Sequence, residues 1–223
     1  MNINLIFSIA GLIGGLLCCA GDVLFDLKGA GNQKLGTSKN IDSNWLKMAE
    51  WRFGASIMIA LIGDIGVGLG FYSIAGQISG THPVLSIITG LTGYAGAVGG
   101  VLIHSSLCIQ AVIYKRIMSG GEKNFPLADH ILEGFYKAVL PPFILMYIVL
   151  MTADISVAVA VLNGALAVPK WMALLNSVIF LLIGRLFRII NPQKFQDLPG
   201  IIMPSFGLAM VGMIGIIAIS QGA

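Results

Sequence analysis

Among the side chains that carry charge or a titratable ring close to or inside apolar runs, five suggest a site: Asp22, Asp26, Asp64, His104 and Arg185. Carboxylates and an imidazole at such places can take up and release protons, act as general acid and base, or hold a cation. Charged groups at mid-membrane cost a few kcal/mol or more and face a bundle interior or a watery cavity. Asp22 and Asp26, four apart, share one helix face with Gly14 and Cys18. Two carboxylates can begin a divalent-cation site, but hard cations want about six oxygens, so no metal site is assigned. Catalytic signatures such as HExxH, GxSxG, a P-loop or a Cys-rich metal spacing are missing. The sequence names no cofactor.

The elements that must position these groups are membrane helices. The chain has 223 residues, 57% hydrophobic and only 10% charged, with mean hydropathy +0.90; soluble domains carry about a quarter charged residues. The expected fold is all-α: a polytopic bundle of six transmembrane helices at about 4–25, 52–76, 83–113, 137–163, 169–190 and 199–220. Pro83, Pro169 and Pro199 mark helix starts, whereas Pro141-Pro142 predicts a kink or break in the fourth span, preceded by an interfacial segment at about 127–137. The first run lacks the basic flank of a cleavable leader and reads as a retained helix.

Charge sets the orientation. Of the 13 basic residues, all but Lys170 fall in the first, third and fifth connections or on the adjoining helix ends. The positive-inside rule then puts those loops in the cytoplasm and both termini outside, in a multi-pass protein of the cell membrane. This distribution accounts for the net charge of +3 and leaves no nucleic-acid signal; the lipid bilayer is the expected partner. Residues 29–44 (GAGNQKLGTSKNIDSN) read as a flexible cytoplasmic loop. Helix packing falls to the 29 glycines, with Gly66-x-x-x-Gly70 and Gly96-x-x-x-Gly100 as close-approach surfaces.

With that orientation Asp64, twelve residues past Arg52, lies about 18 Å into the membrane, and His104 is at a comparable depth. Both stand on small-residue stripes, Ala60–Asp64–Gly68 and Gly96–Gly100–His104–Cys108. The expectation is a polar pocket open to the cytoplasm, built from Asp22, Asp26, Asp64, His104 and Arg185. Each has a structural alternative: Asp26 as an interfacial partner of Lys28 or Arg52, Arg185 as a snorkelling anchor, and His104 as a hydrogen-bonding core residue. Asp154, with Thr152 and Ser156 nearby, falls in the outer half.

GDVLFDLKGAGN, EWRFGASIMIALIGD and LPGIIMPSFGLAMVG together resemble a family of bacterial multi-pass membrane proteins with no assigned activity. That resemblance implies a membrane location. Gly21-Asp22-Val23-Leu24 is also similar to the GD-x-L element of lysoplasmalogenase-type membrane hydrolases, over four residues only. Three classes of function stay open: a small proton- or cation-coupled transporter, an intramembrane lipid-acting hydrolase using Asp and His, and an accessory or sensory protein whose polar residues staple helices.

Overall fold

The computed structural model describes residues 2–198 and 203–222. Its helices are α1 (Ile3–Asp26), α2 (Trp51–Ile78), α3 (Pro83–Met118), α4 (Phe125–Leu162), α5 (Ser177–Ile190) and α6 (Met203–Gly222). All but α5 are long and apolar enough to cross a membrane. Packing follows the order α4–α3–α2–α1–α6–α5, each helix against the next. Local chemistry sets the ends. The Asn2 side chain accepts from the Asn4 N–H at 3.0 Å, Asn176 accepts from Ile179 at 3.0 Å, and Pro83 opens α3, where its missing N–H is not needed.

Glycine brings α1 into contact with two antiparallel neighbours at once. A methyl added to Gly14 would meet the Gly63 carbonyl oxygen at 2.5 Å, and one on Gly212 would run into the Leu12 nitrogen. Gly70 lies on Gly11, and Gly15 on Ala209. The Gly66/Gly70 surface therefore serves α1–α2 packing. In the other expected pair, Gly96 receives Leu150 of α4, but Gly100 gives its space to the Asp64 carboxylate. The contacts of α1 run from Gly21 against Ser56 to Gly11 against Gly70, and from Asp22–Ser205 to Ser8–Gly215. Asn2 and Gly222 consequently stand at the same end of the bundle. A polar staple ties α1, α2 and α6 there: Ser8 to Ser73 at 2.7 Å, Ser73 to the Asn4 carbonyl at 2.7 Å, and Gln77 to the Gly215 carbonyl at 3.3 Å.

Expectations change for the fourth and fifth spans and for the 29–44 loop. The fourth span is one unbroken helix through Pro141-Pro142, whose rings lie on its exposed side, and 127–137 forms its early turns. In place of a continuous helix over 169–190, a short 3-10 turn (Lys170–Leu174) leads into α5, which has 14 residues. The sixth span's expected start at Pro199 lies outside the described residues; its helix runs Met203–Gly222.

The loop at 29–44 is ordered, not flexible. Strands β1 (Lys34–Leu35) and β2 (Ile41–Asp42) pair antiparallel, and a 3-10 turn follows at Ser43–Leu46. Their apolar residues Ile41 and Trp45, with Met48, join Phe25, Tyr114 and Leu132 in a core of their own. Asn44 donates to the carbonyls of Lys28 and Ala30, both at 3.1 Å, and the Lys115 ammonium to those of Trp45, Leu46 and Met48. Backbone groups that composition leaves to water are thus satisfied internally. The result is a folded cap over one end of the bundle. The positive φ of Gly29, Gly31 and Gly36 permits its turns.

Candidate functional site

Helices α1, α2 and α3 carry the site because their small-residue faces let polar side chains meet between them. His104 of α3 lies between two partners. Its Nδ1 is 3.5 Å from Asp22 Oδ1, and its Nε2 is 2.7 Å from the Ser56 hydroxyl. The Phe25 ring packs edge-on against the imidazole at 5.8 Å. Ser205 of α6 donates to the other oxygen of Asp22. Asp22 and His104 are about equally shielded, with side chains 17% and 15% exposed.

Hydrogen-bond counting constrains the protons. Ser56 has one hydroxyl proton, and its oxygen is 2.7 Å from the Gly21 carbonyl, which can only accept. The proton therefore points to Gly21, and the Ser56 oxygen accepts from a protonated His104 Nε2. Asp22 Oδ1 and His104 Nδ1 then face each other across 3.5 Å, an acceptor opposite a ring nitrogen that can take up a further proton. That arrangement can store and pass on a proton.

Asp64 of α2 sits one turn deeper. Its carboxylate fills the space that Gly100 leaves, one turn along α3 from His104, and accepts from the Cys18 thiol at 3.6 Å. Cys18 stands one turn from Asp22 on α1, so it connects the two acidic positions. Asp64 also lines an apolar groove between α2 and α3.

The remaining two expected residues make no hydrogen bond to Asp22, His104 or Asp64 among the described residues. Asp26 pairs with the Lys28 ammonium at 2.6 Å, and that ammonium also reaches Asp42 at 3.6 Å. Burial pushes the Lys28 ammonium down, but Asp26 and Asp42, with Asp197, outweigh it and raise it above the ordinary 10.5. Asp26 thus joins the bundle to its cap. Arg185 is exposed on α5 and makes no hydrogen bond or ion pair among the described residues.

Sequence reasoning missed Ser56, Ser205 and Cys18 as partners. Ser56 had a signal, since Arg52–Ser56–Ala60–Asp64–Gly68 recurs every four residues on one helical face. Ser205 had none, because its partner is 183 residues away. Asp154 forms a separate structural joint: its Oδ2 accepts from the Ser177 backbone N–H at 3.0 Å and holds the start of α5. Among the described residues, no cluster of three or more His, Cys, Asp or Glu side chains forms a metal site.

Residues 1–222 match the profile of a family of unknown function (DUF6796), and the chain belongs to that family. No curated protein and no solved structure matches it.

Proposed function

We propose, for this member of a family of unknown function, a multi-pass protein of the cell membrane that moves a small solute coupled to protons. The observation that carries this reading is the Asp22–His104–Ser56 arrangement, in which carboxylate and imidazole nitrogen face each other, with Asp64 a turn away. A group that only staples helices needs fixed donors and acceptors, whereas a carrier needs a site that changes protonation. The supporting geometry is two-sided. Asp22 and His104 lie toward the capped end, and Asp64 borders a groove running toward the other end.

In this reading the membrane is crossed six times. The lead-in at 163–176 dips below the end of α4, since Asp154, eight residues before Leu162, meets Ser177 about 12 Å in. Helix α5 adds about 21 Å, and residues 196–197 reach the cap through Gln196–Asn32 and Asp197–Lys28. Both termini then lie outside, with the basic cap in the cytoplasm.

The test is flux in proteoliposomes under an imposed pH gradient, with candidate small solutes screened against the wild-type protein. Asp64→Asn is expected to remove the gradient-driven component while His82→Gln, at an exposed helix start, leaves it intact. Gradient-driven flux that Asp64→Asn leaves unchanged sinks the reading.

The order Asp22–His104–Ser56 also has the form of a hydrolase triad, which keeps a lipid-acting enzyme as the second reading. Two observations weigh against it. Ser56 is fully buried, and its proton is directed to Gly21 instead of His104. A fluorophosphonate probe is expected to leave Ser56 unlabelled; labelling abolished by His104→Ala would favour the enzyme.

A further inference from the structure

The crease between α2 and α3 holds a groove of about 940 Å³ with Phe7 of α1 along one side. It extends from Asp64 and Val101 to Ser79 and Ser86, a length of about 22 Å at the helical rise. Its walls are apolar: Ile65, Tyr72, Leu91, Tyr94 and Val98 present large, exposed side chains there. Tyr72 and Tyr94 flank it, and Gly68 and Gly90, where an added methyl would meet Ala97 at 3.4 Å and Ala75 at 3.3 Å, let the two helices close along its floor. In a membrane this groove faces hydrocarbon.

One feature is out of keeping with those walls. Asp64, only 8% exposed, presents a carboxylate at the deep end, and among the described residues only the Cys18 thiol hydrogen-bonds it, at Oδ1. Oδ2 has no hydrogen-bond partner among the described residues, and Asp64 lines the groove. A carboxylate oxygen in hydrocarbon is expensive unless it takes up a proton or a donor or counter-charge meets it. An acyl chain filling the groove offers neither, and a phosphate headgroup would be repelled. A protonated amine on an apolar body offers both a donor and a counter-charge, with its body along the groove.

We propose that this groove is a binding site for a lipophilic ammonium compound, entered sideways from the bilayer, with its amine on Asp64 Oδ2. The inference rests on the carrier reading only for its use as the transported solute; the binding site stands on the groove and Asp64 alone.

The experiment is equilibrium binding of radiolabelled dodecylamine to the full chain in lipid nanodiscs, without any gradient. Saturable binding is expected, weakened at least about tenfold by Asp64→Asn and by Leu91→Trp, which fills the groove from an exposed position. Unlabelled dodecanol and dodecanoate are expected to compete at least about tenfold less well than dodecylamine. Smaller losses in either variant, equal competition by dodecanol, or no saturable binding overturns the proposal, dodecanol equivalence meaning a groove for ordinary lipid. Should Asp64→Asn fail to fold, the comparison of amine with alcohol on the wild-type protein decides. Amine binding without proton-driven flux removes the carrier reading alone, and proton-driven flux without amine binding removes the groove proposal alone.

Discussion

At the scale of the residue, two acidic positions near the end of α1 have different work. Asp22 faces His104 inside the bundle, and Asp26, one turn on, faces Lys28 and the cap. The side chain of Lys28 is only 8% exposed and bridges Asp26 and Asp42. Removing one partner of a buried pair leaves an uncompensated charge, at about 3 kcal/mol. Lys28→Met is therefore expected to lower the thermal midpoint of the detergent-solubilised protein at neutral pH. Because the folded Lys28 ammonium is raised above its ordinary 10.5, its contribution is complete below that value and disappears as pH climbs through the folded one. The gap between wild type and Lys28→Met is thus expected to close in alkali; a gap that persists or widens there contradicts the assigned pairing.

At the scale of the element, helix positions divide by what a methyl group would meet. On Gly212 it runs into the backbone of α1 at Leu12, and on Gly54 it meets nothing within 4 Å. Gly212→Ala is expected to destabilise by about 1–3 kcal/mol through overpacking, and Gly54→Ala to be neutral or to gain up to about 1 kcal/mol in helix propensity. Denaturant titrations of both variants check the contrast, which equal effects would contradict. Helix α5 depends on a distant acceptor: Asp154 Oδ2 takes the Ser177 N–H, and Asn176 takes that of Ile179. Asp154→Ala is expected to cost about 1 kcal/mol and to speed hydrogen exchange at Ser177 more than at Ile179. Equal acceleration at both positions would show that the joint acts on the whole helix start instead.

At the scale of the whole molecule, the antiparallel run of α1 against α6 brings Asn2 and Gly222 to one end, opposite the cap. Cysteines introduced one at a time at Asn2, Gln221, Lys39 and Lys123 are expected to react in two pairs with a membrane-impermeant maleimide. The first two would label from outside in intact cells, and the second two only after permeabilisation. Labelling of Asn2 and Gln221 from opposite sides would contradict the six-crossing arrangement. The folded cap also gives the basic residues fixed places. Lys115 and Lys28 are structural, held by carbonyls and carboxylates, whereas Lys34, also paired with Asp42, stays more than half exposed.

Periodicity and composition were enough to locate the helices, because burial in hydrocarbon demands long apolar runs whatever the neighbours are. The same logic made Asp22, Asp64 and His104 stand out, since charge at depth requires a partner from somewhere. Which partner was not legible. Ser205, Ser56 and the Gly21 carbonyl come from other helices, and only packing selects them. The cap escaped notice for a related reason: residues 29–44 look like solvated loop by composition, and their order comes from Asn44, Lys115 and Trp45 meeting across the fold. Helix α5 was overextended because an apolar stretch does not say where its backbone leaves the helix, and Asp154 decides that from α4. Hydropathy is a property of a segment and can be read along the chain; a hydrogen-bond partner is a property of two segments and exists only once they are packed.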